Sequence, residues 1–131
     1  MSLCVNIANV IGKAGAKSAD GSGLHTENLK DQPLIAKSSE KAAYSGTKRL
    51  KVIRQVYGPG GTHLPHKHPH AEQVYFVESG SAHVRIGDEH FDVEGGTILY
   101  IPPNTEHEIK NTGSDLLVNY LIDVVVDGDE S

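Results

Sequence analysis

Apolar residues fall into short runs after Thr47, many of them β-branched or aromatic, and turn residues separate these runs. A turn about every 8 to 12 residues is typical of an all-β sandwich or barrel. The predicted strands are 48–57, 73–78, 81–86, 89–93, 97–101, 106–110 and 116–126. No window in this half has the apolar spacing of an amphipathic helix. Because so many short strands would otherwise leave unpaired edges, the pattern predicts a closed barrel or two packed sheets.

The chain before this region has a different composition and lacks the regular apolar spacing of the predicted strands. From Gly12 to Thr47 it is rich in Gly, Ala, Ser and Lys, and its apolar residues have little regular spacing. This composition predicts a loop or a partly mobile arm, with the greatest mobility around residues 12–23. We therefore expect an N-terminal arm at 1–47, a barrel at 48–126 and an acidic tail at 127–131.

Size, charge and cysteine content narrow the function classes. A chain of 131 residues suits one domain, and a net charge of −5 with scattered basic residues argues against a nucleic-acid partner. No stretch approaches the roughly 20 apolar residues of a membrane span, and the start lacks a basic leader, so we expect a cytoplasmic protein with no membrane partner. Cys4 is the only cysteine, so a bound metal needs nitrogen and oxygen ligands.

Four histidines lie close together at positions 63, 66, 68 and 70. The two-residue spacing of His66 and His68 places both imidazoles on one face of a strand, as metal ligands require. A solvated polar loop with several histidines explains the same cluster equally well. The cluster alone leaves both interpretations open.

Two spaced motifs make the interpretation more specific. The first runs from Gly60 through five residues to His66-Lys-His68 and closes at Gly80, and the second is made of Gly96, Pro102, Asn104, His107 and Asn111. They resemble the motifs G(X)5HXH(X)3,4E(X)6G and G(X)5PXG(X)2H(X)3N of the cupins, which are small double-stranded β-helix (jelly-roll) barrels. The resemblance covers residues 48–126, about 60% of the chain. It implies one divalent metal bound by His66, His68 and His107.

The sequence departs from the cupin pattern at two places. Asn104 replaces the usual glycine of a tight turn, and asparagine is the next-best residue for a left-handed backbone. The acidic ligand of the first motif falls on Glu72 or on Gln73, depending on the spacing allowed. Because faces alternate along a strand, Gln73 would enter the barrel with Tyr75 and Val77, which favours Gln73. Glu72 stays the alternative ligand, or a residue that supports the ligands.

The sequence is similar here to a subgroup of small cupins in which glutamine replaces the acid. Three neutral imidazoles and an amide leave the 2+ charge of the metal uncompensated, which favours an anionic ligand in the open positions. Nitrogen and oxygen ligands suit Zn, Mn, Fe, Co or Ni, so the sequence does not identify the metal.

Three further residues are candidates for roles beside the metal. Arg54 would bind a substrate carboxylate if its face of the first barrel strand points inward, and otherwise faces solvent. Tyr75 would be a proton donor or a core residue, and Asp123 a general base or a surface acid. Some cupins of the glutamine subgroup linearise unsaturated uronates with an Asp and an Arg near the end of the last strand. Asp123 falls about there, but no Lys or Arg follows Lys110, so we do not transfer that activity.

Two functions of different classes follow. The first is a metal-dependent enzyme that converts a small carboxylated or oxygenated molecule, by isomerisation, lyase chemistry or O2-dependent dioxygenation. The second is a non-catalytic module that binds a metal or a ligand, and the sequence does not decide whether the protein is an enzyme. We also expect a homodimer, because the edge strands and the arm offer a surface to a second copy.

Overall fold

The structure, a computed structural model, describes residues 4–9, 13–14, 29–36, 42 and 44–126. Its only helix in these ranges is a 3-10 turn at Ile7–Asn9. The strands are β1 (Lys13–Ala14), β2 (Leu29–Ala36), β3 (Tyr44–Ser45), β4 (Leu50–Tyr57), β5 (Thr62–His66), β6 (Ala71–Ser79), β7 (Ser81–Ile86), β8 (Glu89–Glu94), β9 (Thr97–Ile101), β10 (His107–Asn111) and β11 (Leu117–Val125). None of the described residues belongs to a helix long and apolar enough to cross a membrane.

The strands form two sheets. The larger has the order β1-β2-β4-β11-β6-β9, with β3 beside β2, and the smaller has the order β5-β10-β7-β8. All pairs are antiparallel except β2 with β3. Because β4 and β5 are consecutive but belong to different sheets, and β6 returns to the first, the chain winds between two layers. This is the predicted jelly-roll barrel.

The core lies between the two sheets. Side chains alternate along β6, where Ala71, Gln73, Tyr75 and Val77 are buried and the residues between them are more exposed. We call this buried side of the larger sheet its interior face. The core cluster contains Tyr57, Tyr75, Val77, Ala82, Val84, Leu99, Ile101, Ile109, Leu117 and Leu121.

The predicted strands correspond to β4 and to β6–β11, and four further strands, β1, β2, β3 and β5, were not predicted. β2 lies in the region expected to be irregular, yet it pairs with β4. Its pairing shifts register between Pro33 and Ile35, because proline cannot donate to a ladder and is tolerated at a bulge. Within 12–23 only 13–14 are described, so the expected mobility there and the tail at 127–131 lie outside the described residues.

Two tight turns hold the motif segments in place. Gly80 joins β6 to β7 with φ 96°, and a Cβ there would lie 2.6 Å from the Leu116 carbonyl oxygen. Asn104 has φ 56°, which confirms the predicted left-handed turn. Its N–H donates to the carbonyl oxygen of His68 at 2.8 Å, so the turn of the second motif is bonded to the first motif.

Candidate metal centre

The fold brings the two histidine segments together. β5 and β10 are neighbours in the smaller sheet, and His66 lies opposite His107 in their register. His68 follows β5, and its ring centroid is 5.9 Å from that of His107. The His66 side chain lies outside the described atoms, so only its backbone position is known. The three predicted ligands therefore belong to one end of the same sheet.

His107 is buried and held in one orientation. Its side chain is only 1% exposed, and its ring packs edge-on against Tyr75 with the centroids 6.0 Å apart. Its Nδ1 lies 2.9 Å from the carbonyl oxygen of Thr105. A carbonyl can only accept, so Nδ1 carries the proton and Nε2 carries the ring lone pair. In metal-binding histidines, a hydrogen bond of this type from the ring nitrogen that does not bind the metal fixes the tautomer.

Gln73 and Glu72 point to opposite sides of β6. The Gln73 side chain is 2% exposed on the interior face, and its Nε2 donates to Oδ2 of Asp123 at 2.8 Å. Glu72 instead accepts a hydrogen bond of 2.6 Å from the hydroxyl of Tyr100, which is 53% exposed. The predicted orientation of the two side chains is therefore the observed one, and Glu72 lies on the outer side of the sheet.

The residues present fit a metal bound by nitrogen and oxygen. Within the described part of the chain, Oε1 of Gln73 is buried and has no hydrogen-bond partner. The ring centroids of His68 and His107 are 5.9 Å apart, within roughly 1 Å of the separation of two imidazoles on one tetrahedral metal with metal–nitrogen bonds of about 2.1 Å. The described side chains contain no cluster of three His, Cys, Asp or Glu, so a complete ligand set requires His66 and the Gln73 amide.

Comparisons with known proteins agree with this fold. The family model described as "Cupin domain" matches residues 53–125. The chain belongs to the cupin family. It is 32% identical over 85 residues to an uncharacterised protein of Methanocaldococcus jannaschii, and the alignment spans 65% of this cupin and 67% of the relative.

Solved structures show the same architecture. A predicted oxalate decarboxylase from Thermotoga maritima aligns with a TM-score of 0.75 at 16% identity, covering 95% of this cupin and 100% of that chain. KdgF from Halomonas sp. aligns with a TM-score of 0.61 at 20% identity, covering 76% and 82%. At these identities the likeness supports the fold.

Asp123 lies beside the candidate ligands. It is 1% exposed on β11, directly opposite Gln73 in the strand register. Its carboxylate therefore holds the Gln73 amide with its N–H side turned to Asp123. Tyr75 lies one interior position further along β6, and burial raises its pKa well above the ordinary value, so its hydroxyl stays neutral. The structure thus brings both residues to this region.

Arg54 does not reach this region of the cupin. The interior residues of β4 include Ile53, Gln55 and Tyr57, so Arg54 lies on the outer side, where its Nη1 donates to Oε1 of Gln32 at 2.6 Å. The inward orientation on which a carboxylate-binding role for Arg54 depended is therefore not the observed one. On the interior face the structure instead places Lys51, directly opposite Asp123. Its alternation with Ile53 was visible in the sequence, but the interior face of β4 was not.

Asn111, the last residue of the second motif, has a structural role. It is 1% exposed, and its Nδ2 donates to the carbonyl oxygens of Tyr57 and Asp115 at 3.0 and 2.9 Å. Its Oδ1 accepts from the N–H of Gly113 at 2.9 Å. These bonds tie β10 to the end of β4 and shape the turn before β11, which positions the strand that carries Asp123.

Proposed function

We propose that this cupin holds one divalent transition metal, Zn, Mn, Fe, Co or Ni, through His66, His68, Gln73 and His107. At the metal it binds or converts a small carboxylated or oxygenated molecule. The observation that carries the proposal is the buried Gln73 amide, whose Nε2 is bonded to Asp123 and whose Oε1 has no partner among the described residues. A buried amide oxygen left in this way costs about 1–3 kcal/mol unless something binds it.

The Asp123 carboxylate decides which way the amide points. Amide oxygen and nitrogen are hard to tell apart from shape, but a carboxylate only accepts hydrogen bonds, so the nitrogen must face Asp123. The oxygen is then the atom that remains for a ligand. A metal would supply a Lewis acid that polarises an oxygen of the bound molecule.

The surrounding residues have separate tasks in the enzyme interpretation. We assign the role of proton acceptor to Asp123, because its carboxylate accepts a 2.8 Å hydrogen bond from the proposed ligand Gln73 and so lies beside the proposed metal position. Tyr75 donates a hydrogen bond rather than a proton, since burial raises its pKa and disfavours the phenolate. The interior packing around both residues limits the access of water.

The charge of the site supports an anionic molecule. Imidazoles and an amide contribute no charge, so the proposed ligands leave the 2+ charge to be balanced by Asp123 and by the bound molecule. One structural neighbour is a predicted oxalate decarboxylase, and oxalate is a small dicarboxylate. We take this as support for the substrate class and not for the reaction.

A cobalt titration tests the proposal. Metal-free protein is titrated with Co2+ and followed by visible absorption, and wild type is expected to bind one equivalent. His107→Ala and Gln73→Leu should each lose at least about tenfold in Co2+ affinity, because each removes a ligand. His90→Ala, a histidine on the exposed side of β8, is the matched control and should bind as wild type. Wild-type-like Co2+ binding by both ligand variants would refute the proposal.

A turnover assay separates the enzyme from the non-catalytic module. Small carboxylates and sugar acids are incubated with metal-loaded protein, with and without O2, and the products are analysed by mass spectrometry. An isomerase or lyase forms product in both atmospheres, and a dioxygenase forms product only with O2. If Asp123→Asn keeps ligand affinity but loses conversion, the enzyme is supported. Binding without any conversion supports the module.

A further inference from the structure

A row of polar side chains crosses the interior face of the larger sheet. Asp123 on β11 lies opposite Lys51 on β4 and opposite Gln73 on β6. Residues directly opposite each other in antiparallel strands project to the same face, with Cβ atoms about 4.5–5.5 Å apart. The β4–β11 register is continuous from Leu50 to Tyr57, so no bulge turns Lys51 away.

The side of β4 that carries Lys51 faces the core. Ile53 packs against the core cluster, and Gln55 is 1% exposed. Alternation therefore places Lys51 on the interior face near the start of β4, where its side chain is half-buried. A lysine stem can lie along apolar surface while its ammonium reaches the open end of the site.

The ammonium is not used elsewhere in the described part of the chain. The Lys51 side chain makes no hydrogen bond or ion pair with the described residues. Asp123 accepts a hydrogen bond from Gln73 and, among the described residues, forms no salt bridge with Lys51. Lys51 thus lies opposite Asp123 on the neighbouring strand, and its ammonium is not bonded to that carboxylate.

Other basic side chains of the described strands are directed elsewhere. Arg54 bonds to Gln32 on the outer side, and Lys110 is exposed on β10. Arg85 makes salt bridges with Glu106 and Glu108, both at 2.8 Å. Of these four basic residues, Lys51 is the one on the interior face, in the same row as Asp123 and Gln73.

We propose that Lys51 binds the carboxylate of the molecule that this site accepts. The ligand class is then a small carboxylic acid with a second oxygen group, such as a 2-hydroxy acid, a dicarboxylate or a sugar acid. Its second oxygen group lies at the metal, its carboxylate lies at Lys51, and Asp123 lies between the two. This inference rests on the proposed function, and it supplies the anion-binding residue that the last strand lacks.

A charge-matched ligand pair tests the inference. Co2+-loaded protein is titrated with glycolate, lactate, malonate and glucuronate, and with lactamide and glucuronamide as uncharged matches, and visible absorption reports ligand entry. Wild type should prefer lactate to lactamide and glucuronate to glucuronamide. Lys51→Met should weaken binding of the acids by about tenfold or more, as for a lost charge-assisted bond, and leave amide binding unchanged. Lys51→Arg should keep the preference for the acids, because the charge remains.

The control is Lys110→Met, which removes the same charge from the exposed side of the other sheet. It should bind the acids as wild type does. If Lys51→Met binds acids as tightly as wild type, or if wild type shows no preference for any acid over its amide, the inference is wrong. Co2+ content is measured first for every variant. Failure of wild type to hold Co2+ refutes the proposed function. Absence of an acid preference in wild type that does hold Co2+ refutes only the role of Lys51.

Discussion

Replacing Gln73 by glutamate places two carboxyl groups in contact inside the barrel. In the wild type, Nε2 of Gln73 donates to Oδ2 of Asp123 at 2.8 Å, and the two side chains are 2% and 1% exposed. Gln73→Glu keeps the shape but exchanges the donor for an acceptor. Two carboxylates cannot remain in contact at this distance unless a proton lies between them.

The cost can be worked out from the proton that this contact requires. A glutamate has an ordinary pKa of about 4.3, and each pKa unit corresponds to about 1.36 kcal/mol, so holding one proton at pH 7 costs about 4 kcal/mol. The hydrogen bond that this proton makes returns about 1–3 kcal/mol. We therefore expect the metal-free Gln73→Glu variant to lose about 1–3 kcal/mol in free energy of unfolding.

Metal should reverse part of this loss. The new carboxylate compensates one unit of the metal charge, so added Co2+ should increase the free energy of unfolding more in Gln73→Glu than in wild type. Urea denaturation at pH 7, in EDTA and in saturating Co2+, measures both quantities.

The control is Glu72→Gln, which changes the neighbouring residue on the outer side, where it bonds only the exposed Tyr100. We expect its stability to stay within about 0.5 kcal/mol of wild type, with the same response to Co2+. The reasoning is refuted if metal-free Gln73→Glu is as stable as wild type. It is equally refuted if Glu72→Gln, rather than Gln73→Glu, changes the response to Co2+.

Three further predictions test the fold, its buried tyrosines and its assembly. Gly80→Ala should lower the free energy of unfolding by about 2–5 kcal/mol in urea denaturation, because φ is 96° and the added Cβ would lie 2.6 Å from a backbone oxygen. Gly60→Ala is the control: a Cβ there meets nothing within 4 Å, so the loss should be only about 1–2 kcal/mol. Burial raises the pKa of Tyr57 and Tyr75, so the folded state keeps both protons after the unfolded chain has released them. Stability should therefore hold below about pH 10 and fall above it by up to about 2.7 kcal/mol per pH unit, and Tyr75→Phe should halve that slope. Equilibrium sedimentation should show a dimer that Ile98→Lys weakens, because Ile98 is 69% exposed on the edge strand β9; a wild-type monomer would contradict the expected homodimer.

The barrel strands could be predicted because their sequences show the period and the turns of half-buried strands. The segments 81–86 and 97–101 were predicted with the bounds observed for β7 and β9. β2 was missed because Pro33 interrupts an already irregular pattern, and pairing with β4 makes it a strand. β5 was missed because its sequence, Thr-His-Leu-Pro-His, has little β propensity, and its position depends on β10.

The face of β6 could be predicted, but that of β4 could not. On β6 the position of Gly80 sets the register, and alternation then places Gln73 inward. On β4 the sequence left the inward face open: the side with Leu50, Val52 and Val56 is the more apolar one, yet the interior side carries Gln55 and Tyr57. These two polar side chains satisfy each other, since the Tyr57 hydroxyl donates to Oε1 of Gln55 at 3.0 Å. Because polar side chains that bond each other can be buried, the alternation of apolar residues does not identify the interior side of β4.

The position of Asp123 depends on pairing between distant parts of the chain. The sequence left it equally a surface acid or a buried base, because strand ends are exposed in some proteins and covered in others. In the structure β11 runs between β4 and β6, and both neighbours contribute an interior side chain opposite Asp123. Long-range pairing of this kind has no local sequence signal.

An anomalous diffraction map tests the metal centre most directly. Crystals of untagged protein loaded with Co2+ or Mn2+ are measured at the absorption edge of that metal. We expect one peak bonded to Oε1 of Gln73 and to the imidazoles of His66, His68 and His107, at about 2.0–2.2 Å. A peak bonded to Glu72 with Gln73 turned outward, or no peak among these histidines, would contradict this expectation.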